Sequence, residues 1–588
     1  MYSTRSLSFV SFGILLIFLT ISFYYGIISP PPLITYTTDE NFIGESGIFL
    51  LFGNTPRALE WAALPSTFIA YFIFLIWCGF SLISQLTSLH GLTNILSVID
   101  KNAFYYLNHR EEFVIWERVI QILLVGFIIF KTIQFVINSK HPALNDNLKT
   151  ILTVLCVSSD IIWVTVPLIR PEALSGSLFL LITIKILFSE KITPKIATTI
   201  LILFILTVTQ RLIFLFLSPF VLGGIMIHLW HQNIGWKVYL KYLTIVLLAL
   251  FAFMPFIITD TFVVLKSFLG GVFIKLNHDK MDTYFNMNYI NDFLSKPLNI
   301  LLSLLAMIGT WFIIKKYPSK LLVFLFLGNF IFFLFTSLKA AQLYVTHTFP
   351  LAMMGLILIG FGLAGILEFI KGKNKQWVLI GFAFILIINS LMAVAKNNAD
   401  IKEQQQNLAD AIVWVKSLKN NEKIALELDF DGLIPKNKAT LMREYEANAS
   451  EKYRISKLHR LLKVTQIDSL NKFPLPIIAQ SFAFEDEKLF DTQYQIALKY
   501  VDTDSQKRFD TDYFFENNSM MSHCLVREDA LKRFEAGQYH YLISKAQLGN
   551  KRPIKTFLKT GGTGFWVYEN KKLDLKFVIL RYEHVISF

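Results

Sequence analysis

The sequence predicts a multi-span α-helical membrane domain followed by a C-terminal α/β soluble domain. Hydrophobic residues make up 54% of the 588 residues and charged residues only 17%, whereas soluble domains carry roughly 25% charged residues. The apolar excess also ends abruptly, because it fills residues 1–395 and is absent from 396–588. We therefore expect two domains, a polytopic membrane domain at 1–395 and an extracytoplasmic α/β domain at 396–588.

Apolar runs predict about eleven transmembrane helices, each close to the roughly 20 residues that cross a bilayer. The first run is too long for a cleaved signal peptide and is interpreted as a retained anchor. A run of apolar residues from Ile196 to Trp230 would be roughly 50 Å long as one helix, so we expect it to break at Thr209-Gln210-Arg211. The predicted spans are 7–28, 113–137, 148–168, 173–188, 196–208, 212–229, 238–258, 298–314, 321–337, 345–369 and 376–395.

Loop charge decides whether the apolar segment 65–88 crosses the membrane. If this segment re-enters or lies in the membrane plane, as we also expect for 91–108, the lysine clusters fall on one side of the membrane and the early acidic residues on the other. Positively charged loops mark the cytoplasmic side, so the N-terminus is predicted inside and the C-terminal domain outside, in the periplasm of a bacterial inner membrane. The lysines are Lys140, Lys149, Lys185, Lys191, Lys195, Lys237, Lys241, Lys315, Lys316, Lys320, Lys371, Lys373 and Lys375.

The net charge of +13 does not indicate a nucleic-acid partner, because the basic residues of the membrane half lie in short loops between apolar runs. Three cysteines, Cys78, Cys156 and Cys524, provide neither a disulfide framework nor zinc spacing. His278 with Asp279 and Asp282 has only weak ligand spacing. The sequence therefore predicts no metal site and no cofactor, with a divalent cation left open.

Two acidic positions are candidates for chemistry at the outer face of the membrane. Asp39 and Glu40 follow the first span, where partial desolvation of a carboxylate favours acid–base work; the alternative is a solvated loop or a helix start. Glu172 lies in Arg170-Pro171-Glu172, where Pro171 at a helix start would place it in the first turn; the alternative is a boundary ion pair with Arg170. Under the predicted topology, both positions face outside.

Basic and polar residues accompany the carboxylates. Arg211 interrupts a long apolar run, and Lys339, Gln342, Tyr344 and His347 lie before the span 345–369. A phosphate-bearing ligand would need such cations. The alternatives are snorkelling for Lys339 and an interface histidine for His347.

The order of these features resembles the GT-C glycosyltransferases, which include protein O-mannosyltransferases and aminoarabinose transferases. The resemblance covers residues 1–395. Many relatives carry Asp where Glu172 stands, and lysine where Arg211 stands. The matching pieces are Thr38-Asp39-Glu40, Leu64-Pro65-Ser66 leading into 65–88, Arg170-Pro171-Glu172, Thr207 to Arg211, and Tyr344 to Pro350.

The resemblance implies transfer of a sugar from a polyprenyl-phosphate-type lipid-linked donor to a glycan, lipid or protein acceptor at the outer face. By this likeness Asp39, with Glu40 beside it, would be the base and Glu172 the second carboxylate. Arg211, with Arg170, Lys339, Tyr344 or His347, would bind the donor. The alternatives are a transporter or flippase of a lipid-linked or anionic solute, which would more often show matched internal repeats, and a noncatalytic scaffold.

The C-terminal region has helical and strand patterns in mixed order. A helix is predicted at 400–419, with strands at 423–428, 538–544, 564–568 and 573–583. The run Gly561-Gly562-Thr563-Gly564 could be a phosphate loop, but no strand–loop–helix context surrounds it. We therefore interpret it as a turn between strands.

Overall fold

A computed structural model describes residues 4–29, 110–168, 170–230, 232, 236–254, 295–339, 345–372, 374–417, 423–427, 521–525, 531, 534–537, 539–544, 547–549, 551–558 and 564–570. This part of the chain is mostly helical. It contains nine helices that are long and apolar enough to cross a membrane, and a shorter apolar helix at Pro194–Gln210. The chain is therefore an integral, multi-pass membrane protein.

The helices follow the predicted spans closely in position. A π-helical turn at Tyr24–Ile28 extends the first helix, and a 3-10 turn at Leu212–Leu217 precedes α7. The segments 65–88 and 91–108 lie outside the described residues. The helices are α1 (Thr4–Phe23), α2 (Arg110–Asn138), α3 (Asp146–Val157), α4 (Asp160–Thr165), α5 (Pro171–Phe188), α6 (Pro194–Gln210), α7 (Ser218–Trp230), α8 (Trp236–Phe253), α9 (Pro297–Lys316), α10 (Lys320–Lys339), α11 (Val345–Phe369) and α12 (Asn374–Lys416).

Local sequence explains several helix boundaries. The Asn145 side chain accepts a hydrogen bond from the backbone amide of Leu148 at 2.9 Å and caps α3. Thr193 occupies the corresponding position before α6. Prolines stand at the first position of α5, α6 and α9, where a missing amide proton costs nothing.

Two predicted elements differ from the structure. The span predicted at 148–168 is present as one apolar stretch at Asp146–Thr165, but its helix is interrupted between α3 and α4. Ser158 leaves the helical conformation there, and its hydroxyl donates to Val154 O at 2.7 Å. The span 376–395 and the helix 400–419 are instead one continuous helix, α12. No glycine or proline separates them, so nothing in the backbone ends the helix there.

The chain divides into two compact units at Asn398. In the first unit, side chains join the ends of α2, α5, α7, α9 and α11 on one side, which we call the lysine-rich end. Ser139 Oγ donates to Phe188 O at 2.7 Å, and His228 Nε2 lies 3.0 Å from Ile186 O. Tyr317 donates to Leu187 O, and Lys316 pairs with Glu368. These contacts place the predicted lysine loops around α3, α6 and α10 at one end.

The opposite end of the first unit, which we call the carboxylate end, joins the π-helical turn after α1, the start of α2 and the connection from α4 to α5. Arg118 donates to Gly26 O at 3.0 Å. Gln121 donates to Val166 O at 3.2 Å and also to Leu168 O. Successive helices therefore run in alternating directions between two distinct ends, as a multi-span bundle requires.

Two glycines allow α9 and α11 to pack backbone against backbone. A Cβ at Gly309 would lie 1.7 Å from Leu358 O, and a Cβ at Gly362 would lie 1.9 Å from Leu305 O. Small residues permit this approach between membrane helices. The contact fixes the position of α9 against the bundle core.

The second unit contains the end of α12 and a five-stranded sheet. Its strands have the order β2-β1-β3-β5-β4. The strand β1 is parallel to β2 and β3, whereas β5 is antiparallel to β3 and β4. The strands are β1 (Lys423–Glu427), β2 (Met521–Leu525), β3 (Tyr541–Ser544), β4 (Lys555–Leu558) and β5 (Gly564–Glu569).

Aromatic side chains join the helix of this unit to its sheet. The ring of Trp414 on α12 lies 5.6 Å from that of Tyr541 and 6.4 Å from that of Phe557. Below these rings, Tyr568 OH accepts from the amide of Leu548 at 2.8 Å. The second unit therefore has a core of its own.

The glycine run before β5 is part of the connection between two antiparallel strands, since Leu558 pairs with Gly564. Gly561, Gly562 and Thr563 lie outside the described residues, and Gly564 is the first residue of β5. The predicted strands at 423–428, 538–544 and 564–568 are confirmed by β1, β3 and β5. The strands β2 and β4 were not predicted. The strand predicted at 573–583 lies outside the described residues.

Candidate functional site

The candidate site is formed where α5 begins and α6 ends, at the carboxylate end. Helix α5 starts at Pro171, as predicted, and Glu172 occupies its first turn. Arg170 precedes the helix in an extended conformation, and its backbone amide donates to Leu168 O at 2.8 Å. Because every residue of α5 except Lys185 is buried, Glu172 is held inside the bundle.

Arg211 reaches the same place from α6. The predicted break at Thr209-Gln210-Arg211 is confirmed: α6 ends at Gln210, and Arg211 has φ −151° and ψ 112°. One guanidinium nitrogen of Arg211 lies 3.1 Å from one carboxylate oxygen of Glu172. The Glu172 side chain is 3% exposed and the Arg211 side chain is 19% exposed, so the carboxylate is enclosed while the guanidinium reaches a more open region.

Hydrogen-bonding capacity remains unused beside this ion pair. Glu172 Oε2 is buried and has no hydrogen-bond partner among the described residues. The same holds in this part of the chain for both amide atoms of Gln210, which is fully buried. A buried polar group without a partner costs about 1–3 kcal/mol. A polar ligand group that forms hydrogen bonds with these atoms would recover that free energy.

Three buried polar side chains of α2 lie at the same end of the first unit. Glu117, Arg118 and Gln121 are buried within the span predicted at 113–137. Gln121 holds the segment that leads into Arg170 and Glu172, as described above. Sequence reasoning missed these residues, although charged residues inside a predicted span are costly and usually functional and could have revealed them. Gln210 was recognised only as part of the helix break.

The other predicted site residues are not brought to this ion pair by the described part of the chain. Asp39, Glu40 and Tyr344 lie outside the described residues. Lys339 ends α10, and His347 lies in the first turn of α11, but only their backbones are described. The roles assigned to all of these residues, and to Arg170, Glu172 and Arg211, stay predictions.

Chemically, the pair provides a fixed cation beside amide and carboxylate groups. A guanidinium binds phosphate with directional hydrogen bonds, and Glu172 restricts the conformations that Arg211 can adopt. The described residues contain no group of three or more His, Cys, Asp or Glu side chains able to hold a metal ion. The arrangement therefore fits an anionic, oxygen-rich ligand.

The chain matches no protein-family model and no curated protein.

Proposed function

We propose that the chain is a membrane glycosyltransferase that moves a sugar from a polyprenyl-phosphate-type lipid-linked donor to an acceptor at the outer face of the membrane. The observation that carries this proposal is the buried Glu172–Arg211 pair at a helix break, with unused polar atoms beside it. Charged groups inside a membrane protein are costly and are usually retained for function.

In the proposed reaction, the acceptor oxygen forms a bond to the anomeric carbon while the bond from that carbon to the phosphate oxygen breaks. The departing lipid phosphate takes the electron pair, and Arg211 stabilises its charge. The acceptor proton passes to Asp39. Glu172, whose one oxygen is already held by Arg211, acts by orienting the guanidinium, and the amide of Gln210 is available to donor or acceptor hydroxyl groups.

The proposal includes the placement of the second unit. If the lysine-rich end faces the cytoplasm, the carboxylate end and the tail beyond α12 face outside, which is the periplasm in a bacterium. The tail at 396–588 is then on the side of the membrane where transfer takes place, and its proposed role is acceptor binding.

The test is a comparison of envelope glycans, by mass spectrometry, from cells with and without this gene, followed by transfer assays with the lipid-linked donor so identified. We expect Asp39→Asn to lower transfer about 10²–10⁴-fold, the usual contribution of a general base, without changing expression. Glu172→Gln should also reduce transfer. The matched control is Glu368→Gln, which removes the exposed ion pair with Lys316 at the opposite end and should leave transfer unchanged.

Two results would contradict the proposal. A fully active Asp39→Asn variant would remove the base. Movement of a solute across liposomes without a covalent product would favour a transporter instead.

A further inference from the structure

A cavity lies at the lysine-rich end of the first unit, between α1, α3 and the start of α12. Its volume is about 640 Å³, which is within the range of about 300–1,000 Å³ for small-molecule sites. Because α3 begins at the lysine-rich end and α5 begins at the carboxylate end, this cavity is separate from the Glu172–Arg211 pair. We call it the α1–α3–α12 groove.

Polar side chains line the groove where it opens at the lysine-rich end, which we call the mouth of the groove. Asp146 and Asn147 come from the first turn of α3, and Lys375 and Gln376 from the first turn of α12. Both helices begin at the lysine-rich end, so these groups lie at the membrane boundary. A cation and a carboxylate therefore line the same polar mouth.

Apolar side chains form most of the rest of the groove, together with Ser11, Thr150 and Thr153. The apolar side chains include Val10 and Ile14 from α1, Ile151 from α3, and Leu379 and Ile380 from α12. Val10 is 53% exposed and Ile380 44% exposed within the described part of the chain, so the wall is open to the surrounding hydrocarbon. Along α12, the lining from Gln376 to Ala383 rises roughly 10 Å, which is most of the roughly 15 Å of hydrocarbon in one leaflet.

We propose that the α1–α3–α12 groove binds one phospholipid whose headgroup carries both a phosphate and a primary ammonium. Lys375 pairs with the phosphate, and the Asp146 carboxylate accepts hydrogen bonds from the ammonium. The amides of Asn147 and Gln376 are within the same mouth, and an acyl chain lies along the apolar wall. The lipid would then hold α1 and α12 against α3.

Charge complementarity selects this headgroup over the common alternatives. A phosphoglycerol headgroup has no cation for Asp146, so the charge of its phosphate is not balanced beside the carboxylate. A phosphocholine headgroup has a cation without N–H donors, so it cannot form the charge-assisted hydrogen bond. Of these three headgroups, only the phosphoethanolamine type satisfies Lys375 and Asp146 together. A phosphoserine headgroup also carries a primary ammonium, but it adds a carboxylate that the Asp146 carboxylate repels.

The test is native mass spectrometry of the full-length protein, delipidated in detergent and then given equal amounts of phosphoethanolamine, phosphocholine and phosphoglycerol lipids with identical acyl chains. We expect the wild-type protein to prefer the phosphoethanolamine lipid about tenfold, as the loss of one hydrogen bond to a charged group predicts. Asp146→Asn should abolish the preference, and Asp146→Glu should keep it. Lys375→Gln should weaken the binding of all three lipids, whereas the nearby control Lys371→Gln should leave their binding unchanged.

An additional variant tests the apolar wall. Ala383→Phe fills the groove and should reduce binding of all three lipids, because the acyl chain loses its place. Three results would each overturn the proposal. They are equal retention of the three lipids by the wild-type protein, an unchanged preference in Asp146→Asn, and stronger binding of the phosphocholine or phosphoglycerol lipid than of the phosphoethanolamine lipid.

Discussion

At the scale of single residues, the buried polar side chains at the carboxylate end are the most informative feature of this protein. Glu172 and Gln210 are enclosed by the bundle, yet one carboxylate oxygen and both amide atoms have no hydrogen-bond partner in the described residues. The sequence pointed to Glu172 and Arg211 because each is charged and adjoins an apolar run. It could not reveal their ion pair, because the two residues are far apart in sequence and meet only through the packing of α5 against α6.

We expect Glu172 and Arg211 to be energetically coupled. A double-mutant cycle with Glu172→Gln and Arg211→Gln, measured by thermal unfolding in detergent, should give a coupling free energy of about 1–3 kcal/mol. The reason is that either single substitution leaves the remaining group partly buried without its partner. Additive effects of the two substitutions would show that the ion pair does not stabilise the fold.

We expect His141 at the lysine-rich end to make stability depend on pH. Burial and the nearby His228 lower the pKa of His141 below its ordinary 6.5, and Glu190 opposes them. The unfolded chain therefore takes up the proton first as the pH falls. The stabilisation is fully present above pH 6.5 and is lost as the pH falls through the lower pKa of the folded protein.

The measurement is the unfolding temperature in detergent across about pH 5–8. His141→Phe keeps a ring beside Tyr317, on which His141 stacks at 5.4 Å, but removes the titrating group and should flatten the profile. His228→Gln removes the repulsion and should reduce the loss at low pH. An unchanged profile in His141→Phe would assign the pH dependence to another group.

At the scale of elements, helix placement followed from apolar run length, but helix continuity did not. The break at Arg211 was predictable because the run from Ile196 to Trp230 is too long for one span. The break at Ser158 and the continuity of α12 were not predictable. Serine is compatible with both states, and Asn397, Asn398 and Asp400 are weak helix formers that nevertheless lie inside α12. Single-residue preferences are too weak to decide these cases without tertiary contacts.

The close approach of α9 and α11 gives a prediction at this scale. Gly362→Ala should destabilise the protein by about 3 kcal/mol, because the added methyl group meets the backbone of Leu305, which cannot move aside as a side chain can. Gly355→Ala on the same helix is the matched control, since its Cβ would meet no atom within 4 Å. Thermal unfolding in detergent measures both variants, and equal stability would contradict the backbone contact.

At the scale of the whole molecule, α12 carries the chain away from the lysine-rich end. A helix of 43 residues is roughly 65 Å long, which is more than twice the roughly 30 Å of the hydrocarbon core. An untilted α12 therefore has only about half of its length within the hydrocarbon core. Loop charge predicts that the lysine-rich end faces the cytoplasm and that the tail beyond α12 lies on the outer side of the membrane.

This topology predicts that protease added to spheroplasts cleaves the tail beyond α12. A cleavage site inserted beside Lys371, at the lysine-rich end, should be protected in the same cells and cleaved only after the membrane is opened. Protection of the tail together with exposure of the inserted site would reverse the orientation, and the proposed outer-face reaction would then be wrong.

The sequence by itself determined the class of this protein, a multi-pass membrane protein, and the approximate position of most helices, because the bilayer imposes one length and one polarity on every span. It also determined which end of the bundle collects lysines. Only the tertiary structure decided that Glu172 meets Arg211, that Glu117, Arg118 and Gln121 are buried within α2, and that α1, α3 and α12 enclose a groove. Such contacts depend on how helices pack side by side, and apolar runs that all face the same hydrocarbon do not encode which neighbour each helix will have.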